Sequence, residues 1–142
     1  MEYQKVKKKL LAIDHGDRRI GLAISDDLGM IAFPFKTIDI KKEPSFIDII
    51  SKLVSNRNIK TIIVGWPLGM GGTSTAQTVK VEKFINKLKV KTSIQIVRTD
   101  ERLTSVIAKR KMIEAGKNQK DHKGEADMLA AATILQDYID NA

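Results

Sequence analysis

The sequence contains no cysteine, and only two of its 142 residues are histidines, His15 and His122. The absence of cysteine excludes disulfides, thiolate metal sites and cysteine nucleophiles. With only two histidines, the sequence does not predict a histidine-rich zinc site either. No apolar stretch approaches the roughly 20 residues that span a bilayer, and the N-terminus lacks the apolar segment of a signal peptide. We therefore expect a soluble, cytoplasmic protein.

Acidic residues are in deficit, with 17 Asp and Glu against 25 Lys and Arg, which gives a net charge of +8. An excess of this size in a small domain suggests a polyanionic partner, and nucleic acid is the first candidate. The Lys-rich composition of an AT-biased proteome would give the same excess. The length suits one core, so we expect residues 1–142 to form a single domain.

Hydrophobic periodicity predicts three strands followed by helices that alternate with strands. Tight turns between the first three runs predict an antiparallel meander, and Pro34 places the third strand at the sheet edge. The order βββαβαβαα predicts an α/β fold, a mixed five-stranded sheet with helices on both faces. The predicted strands lie at 10–13, 20–24, 29–37, 61–65 and 93–98, and the predicted helices at 43–57, around 81–88, at 103–115 and at 125–138.

Two aspartates stand in unusual places within this pattern. The apolar run LLAI ends on Asp14, where an ionised carboxylate costs several kcal/mol unless a metal, an arginine or backbone N–H groups offset its charge. The alternative is a plain Asp-x-Gly turn. Asp127 falls in register with Ala131 and Ile134 on the inward stripe of the last helix. Its alternative role is a favourable interaction with the helix dipole in the first turn.

Sites in parallel βα units form at the carboxyl ends of the strands. Here those ends bring Asp14, the Gly-rich loop at 65–72 and the segment at 100–102. Asp14, Glu101 and Asp127 could therefore form an acidic cluster that contains no His or Cys. Hard oxygen ligands of this kind suit Mg²⁺ or Mn²⁺.

Four segments of the chain carry a resemblance to a known family. They read IDHGDRRIGLAISD at 13–26, IIVGWPLGMGG at 62–72, TDERLTS at 99–105 and KGEADMLAAATILQDYID at 123–140. The chain resembles the YqgF family, also called RuvX, of Holliday junction resolvases with an RNase H-like fold. The segments follow the order and spacing of that family across nearly the whole chain. The resemblance implies a three-layer RNase H-like nuclease domain.

The resemblance also implies roles for individual residues. Asp14, Glu101 and Asp127 match the acidic residues that are catalytic and bind metal, here Mg²⁺ or Mn²⁺. The resemblance therefore implies metal-assisted phosphodiester hydrolysis, in which one ion would activate a water and a second ion, about 4 Å from the first, would stabilise the leaving 3′ oxygen. Asp14 would be the ligand that both ions share.

Nucleic-acid contacts are implied at basic and glycine positions. Arg18 and Arg102 could contact phosphate, or could instead pair with an acid such as Asp26 or Asp100. The loop ahead of a helix could lay backbone N–H groups along a phosphate backbone, or could be an ordinary connection. Trp66 departs from the aliphatic residue usual in the family, and either joins the core or stacks on a base. The implied contacts are Arg18, Arg102, Gly69, Gly71, Gly72 and Lys123.

The resemblance implies a nuclease but leaves its substrate divided between RNA and DNA. A junction resolvase would be expected to act as a dimer, and the lack of a conspicuous exposed apolar stripe for dimerisation favours maturation of the 5′ end of the 16S rRNA precursor in ribosome biogenesis. A Holliday junction resolvase acting on four-way DNA is the first alternative. A non-catalytic nucleic-acid-binding assembly factor is the second, although clustered acids would not help a surface to bind phosphate. An actin-like ATPase would need a second domain. The sequence shows no conspicuous exposed apolar stripe for dimerisation, so we expect a monomer or a weak homodimer.

Overall fold

A computed structural model describes residues 8–100 and 119–142 of the chain, with backbone alone at 119–123. Five strands form one sheet, and three α-helices pack against it in the described parts. The strands are β1 (Leu10–His15), β2 (Arg19–Ser25), β3 (Ala32–Asp39), β4 (Thr61–Trp66) and β5 (Gln95–Asp100). The helices are α1 (Phe46–Asn56), α2 (Ala76–Lys91) and α3 (Gln119–Asn141).

The sheet has the strand order β3-β2-β1-β4-β5. Strand β2 pairs antiparallel with β1 and β3, whereas β4 pairs parallel with β1 and β5. The predicted meander and the predicted mixed sheet are therefore confirmed. Pro34 lies on the edge strand β3, next to an irregularity in its pairing with β2, as expected of a residue that cannot donate to the ladder.

Two cores of different character cover the two faces of the sheet. The larger core lies between the sheet and helices α1 and α2, and it consists mostly of Ile, Leu, Val and Phe. The smaller core lies under α3, and half of its buried residues are alanines: Ala12, Ala23, Ala130 and Ala131. Alternation along β1 sends Leu11 and Ile13 into the larger core and Leu10 and Ala12 into the smaller one.

Helix α2 shows how local sequence sets an element boundary. Thr75 caps the helix reciprocally with Thr78, and each threonine side chain accepts a hydrogen bond from the backbone N–H of the other. The predicted stripe follows at helical spacing and is fully or nearly fully buried: Val81, Phe84, Ile85 and Leu88.

Two predicted boundaries are wrong. Strand β3 begins at Ala32 rather than at Gly29, because the Asp26 carboxylate accepts hydrogen bonds from the backbone N–H groups of Met30 and Ile31 and holds them in a turn. Helix α3 begins at Gln119 rather than at Glu125, so residues 119–123 are helical and not part of a loop. Its first residues are polar and show no apolar period, which is why the pattern missed them.

Smaller differences occur elsewhere. Helix α1 is shorter than the predicted 43–57, and β5 runs to Asp100, two residues past its predicted end. The helix predicted at 103–115 lies outside the described residues. None of the helices in the described ranges is long and apolar enough to cross a membrane.

Candidate active site

Asp14 is a buried carboxylate at the carboxyl end of β1. Its exposure is only 6%, and the four residues before it are equally enclosed. Because side chains alternate along a strand, Asp14 lies on the same face as Ala12, the face that α3 covers. A plain turn would leave its aspartate in water, so the burial favours the reading in which other groups offset this charge.

Gly21 brings α3 down onto the sheet beside Asp14. It is the cross-strand partner of Asp14 in the antiparallel pairing of β1 with β2. A Cβ atom at Gly21 would lie 2.0 Å from the carbonyl oxygen of Asp127 and 2.4 Å from its carbonyl carbon. Only a residue without a side chain permits this approach. The backbone of Asp127 therefore lies over the glycine that pairs with Asp14 across the two strands.

Asp127 lies well inside α3. It is the eighth residue after Gln119, where the helix starts, and is therefore more than two turns into the helix. The alternative role in the first turn, next to the helix dipole, is therefore wrong. The Asp127 side chain is 14% exposed.

Arg19 supplies a positive charge to Asp127. Its Nε atom donates to Oδ2 of Asp127 at 2.5 Å. The sequence prediction selected Arg18 and missed Arg19, although strand alternation offered a signal. Arg19 shares its face of β2 with Gly21 and Ala23, the face that α3 covers.

Arg18 points to a different neighbour. Its Nε atom donates to Oδ2 of Asp39 at 3.4 Å, and its side chain is 51% exposed. The acid is not Asp26, which holds the turn before β3. A weak ion pair at the surface leaves the Arg18 guanidinium accessible to a phosphate group.

The Gly-rich loop between β4 and α2 is a closed structure. The Gly69 N–H donates to the Thr73 carbonyl at 2.8 Å, and the Gly72 N–H donates to the Gly69 carbonyl at 3.1 Å. Gly71 and Gly72 both adopt positive φ values. Two of the three predicted phosphate-binding glycines thus use their N–H groups within the loop, so the sequence argument for that role is weakened.

Trp66 closes β4 beside this loop. It packs against the larger core, and the Arg98 guanidinium lies 4.7 Å from the centroid of its ring. The core interpretation of Trp66 is thus the one that its packing favours, with one face of the ring next to a cation.

His15 follows Asp14 but turns to the opposite face. Its ring centroid is 4.7 Å from that of Phe84 on α2, and its backbone carbonyl accepts a hydrogen bond from Gln77 Nε2 at 3.1 Å. Burial lowers the pKa of His15 below its ordinary value. The end of β1 therefore presents a carboxylate toward α3 and an imidazole toward α2.

Three predicted site residues lie wholly or partly outside the described part of the chain. Glu101 and Arg102 lie outside the described residues, and Lys123 lies on α3 in the part given as backbone alone. Asp100, which precedes Glu101, is the register partner of Trp66 in the parallel pairing of β4 with β5. Both residues lie at the carboxyl ends of their strands, as Asp14 does at the carboxyl end of β1. Within residues 8–100 and 119–142, no three His, Cys, Asp or Glu residues converge as a metal site. The predicted set has its third member outside these ranges.

Comparison with known proteins identifies the family. The family model described as "RuvX: Holliday junction resolvase" matches residues 8–141. The chain belongs to the RuvX family. A protein of Acetivibrio thermocellus named "Putative pre-16S rRNA nuclease" is 42% identical over 135 residues, 94% of this chain and 96% of that protein. Proteins of the same name from Endomicrobium trichonymphae and Clostridium botulinum strain Hall are 39% and 41% identical, over 93% and 94% of this chain and 95% and 97% of their own lengths.

Solved structures agree on the fold. The RuvX chain matches Thermus thermophilus RuvC in complex with a Holliday junction substrate with a TM-score of 0.59, 11% identity and 93% coverage of both chains. It matches the fowlpox virus resolvase in complex with Holliday junction DNA with a TM-score of 0.59 and 12% identity, over 94% of this chain and 97% of that one. At such low identity the likeness establishes the fold alone, which is RNase H-like. Membership of the RuvX family, together with the names of the curated relatives, identifies this chain as a nuclease.

Proposed function

We propose that this RuvX protein hydrolyses phosphodiester bonds with a divalent metal ion held by Asp14, Glu101 and Asp127. One observation carries the proposal: the α3 backbone at Asp127 rests on Gly21, which is the cross-strand partner of the buried Asp14 on the same face of the sheet. Two carboxylates on one face are costly together without a cation, and the Arg19 guanidinium offsets part of their charge.

The donor chemistry of these residues fits Mg²⁺ or Mn²⁺. Carboxylate oxygens are hard ligands, and the side chains of both described acids are largely buried. When bound, such an ion supplies a Lewis acid and a water of lowered pKa for attack on phosphorus. The chain itself holds the acids in place through the rigid end of β1 and the close packing of α3 on β2.

Arg18 has a separate part in this proposal. It lies half exposed at the start of β2, one residue before Arg19, and can pair with a phosphate of the substrate. Arg19 is a positioning residue, because it acts on Asp127 rather than on the substrate.

The substrate we propose is the 5′ region of the 16S rRNA precursor. Support comes from the names of three relatives, which are 39–42% identical to the RuvX chain over nearly its whole length. The competing substrate is a four-way DNA junction, which the description of the family model names. A ribosomal RNA precursor is a cytoplasmic substrate in bacteria, so the same proposal places the protein, as one domain of residues 1–142, in the cytoplasm.

One structural observation bears on the oligomeric state that we expect from the sequence. Four large apolar side chains, 41–62% exposed, lie in the turn before β3 and at its start: Leu28, Met30, Ile31 and Phe33. The sequence pattern did not predict the exposure of these four side chains. We retain a monomer or weak homodimer as the proposed state, and sedimentation velocity would test it.

A cleavage assay with both substrates side by side tests the proposal. The wild-type chain should cut the RNA precursor in the presence of Mg²⁺ and fail to cut it in EDTA. Asp14→Asn should remove cleavage and leave folding and substrate affinity nearly intact, because it changes the charge without changing the shape. Asp27→Asn is the matched control, because it removes the same charge at a side chain that is 72% exposed, near the start of β1 and so at the opposite end of that strand from Asp14.

Unchanged turnover in Asp14→Asn would remove the proposed metal site. Cleavage of the four-way junction with no cleavage of the precursor would replace the proposed substrate. In neither case would the membership of the RuvX family be affected.

A further inference from the structure

A basic groove lies on the side of the sheet that α3 does not cover. It encloses about 270 Å³ between the end of β1, the start of α1 and one face of α2. We call it the α2 groove. It is lined by His15, Phe46, Lys80, Lys83, Phe84 and Lys87, with Asp17 at its rim.

The floor of the α2 groove is apolar and aromatic. Phe84 lies between His15, at 4.7 Å between ring centroids, and Phe46, at 6.3 Å with nearly parallel rings. Three lysines, Lys80, Lys83 and Lys87, stand at helical spacing on one face of α2 and bring positive charge to the groove.

Two of these lysines are available to a ligand. Lys80 binds the Asp17 carboxylate at 2.8 Å. Lys83 and Lys87 are exposed and form no ion pair with any residue in the described parts of the chain. An aromatic floor with unpaired lysines along one side suits a single nucleic-acid strand, whose phosphates meet the cations and whose bases meet the rings.

The α2 groove is continuous with the candidate active site. Asp14 and His15 are consecutive residues at the end of β1, and they face opposite sides of the sheet. A nucleic-acid strand bound at Asp14 would enter the groove by crossing the carboxyl end of β1. An acidic protein segment would match the lysines equally well, but nothing would then account for the position beside the buried carboxylate.

We propose that the α2 groove binds the phosphodiester backbone of the substrate on one side of the bond that is cut. Lys83 and Lys87 neutralise successive phosphates, and the aromatic floor contacts the base or sugar between them. The proposal rests on the proposed nuclease site only for its place on the substrate. Binding in the groove itself needs neither the metal nor cleavage.

Affinity for a labelled single-stranded RNA oligonucleotide, measured by fluorescence anisotropy in EDTA, tests the groove without any cleavage. The double variant Lys83→Gln/Lys87→Gln should bind about tenfold more weakly near physiological salt. The slope of log affinity against log salt should become shallower by about 1.4, which corresponds to two phosphates on a single strand. Lys89→Gln is the matched control, because Lys89 lies on the same helix but outside the groove.

Equal binding by the double variant and the wild type would overturn the proposal. So would an equal loss in Lys89→Gln, since that result would reflect only the net charge of α2. Sedimentation velocity supplies the third outcome: a dimer lost in the double variant with RNA affinity unchanged would assign the groove to a second copy of the chain.

The cleavage assay separates this proposal from the proposed function. The wild type could cut no nucleic acid while the double variant still binds RNA more weakly than Lys89→Gln does. That result would support the groove and contradict the nuclease site. If the wild type cuts normally and the contrast is absent, the nuclease site stands and the groove falls.

Discussion

The two faces of the sheet are packed with side chains of different size. Toward α1 and α2 the sheet presents large side chains, and residues such as Ile13, Leu22 and Val64 are fully buried there. Toward α3 it presents Ala12, Ala23 and the bare backbone of Gly21. Large side chains keep a helix at a distance and remove much apolar surface from water. Small ones let a helix backbone lie directly on the strands.

The difference explains where the candidate site formed. Burial of each large aliphatic side chain contributes about 1.5–3 kcal/mol, so the larger core contributes most of the stability. The alanine face contributes less, but it brings the α3 backbone at Asp127 into contact with Gly21 beside Asp14. Stability and site geometry thus depend on opposite faces, and substitutions on each face should separate them.

Leu88→Ala on the larger core should have the greatest effect on stability. Leu88 is fully buried on α2, so its truncation should lower the free energy of unfolding by about 2–5 kcal/mol. Cleavage per folded molecule should change little, because α3 is not touched. Urea denaturation and cleavage at low temperature measure the two effects. Val90→Ala, at a site 83% exposed on the same helix, is the control and should leave the denaturation midpoint unchanged.

Gly21→Ala on the α3 face should show the opposite balance. The added Cβ would meet the α3 backbone at 2.0 Å, so the helix must move away. We expect a loss of about 1–3 kcal/mol in the free energy of unfolding. Cleavage should fall about 100-fold, because a small displacement of a catalytic group has that effect.

Gly124→Ala is the matched control for Gly21→Ala. A Cβ atom at Gly124 would lie 3.7 Å from the Thr37 side chain, an ordinary contact. Within a helix the same change should raise stability by about 0.5–1 kcal/mol. Equal losses of cleavage in both variants would show that α3 is not held in place by the glycine of β2.

Arg19→Gln should have a smaller effect on the same face. Arg19→Gln removes the guanidinium that donates a hydrogen bond to Asp127 at 2.5 Å, and cleavage should fall about tenfold, as it does on the loss of a residue that orients a metal ligand. Arg19→Lys should recover part of the rate, since it keeps the charge but not the planar fork. If Arg19→Lys and Arg19→Gln lose the same rate and both retain Mn²⁺ affinity, the positioning role fails.

Arg18→Gln should have the smallest effect. Arg18 pairs with Asp39 at the surface, so we expect no measurable shift of the denaturation midpoint. RNA affinity should decrease, and its salt slope should become shallower by about 0.7, if the guanidinium contacts one phosphate. An unchanged slope would leave Arg18 as a surface residue without a role in binding.

Much of this architecture followed from the sequence for simple reasons. The β1 run LLAI and the stripe of α2 are periodic, so their burial was readable, and the order of strands and helices followed from them. The position of Asp14 at a buried strand end was readable for the same reason. Tight turns between the first three runs fixed the antiparallel part of the sheet.

Other features depended on tertiary contacts that no local pattern encodes. Gly21 lies inside an apolar run, and nothing near it in sequence shows that α3 rests on it. The start of α3 is polar and lacks an apolar stripe, so the pattern predicts a loop where its first turns lie. The motif points to Arg18, although the alternation of Arg19 with Gly21 along β2 is a usable signal for Arg19.

Titration of Mn²⁺ into the full chain by calorimetry tests the central claim most directly, because it measures the site without a substrate. The wild type should bind the ion, Asp14→Asn should lose binding, and Gly21→Ala should weaken it about tenfold or more. Gly124→Ala should bind as the wild type does. Wild-type affinity and stoichiometry in Asp14→Asn would contradict the account, because the buried carboxylate of β1 would then hold no metal.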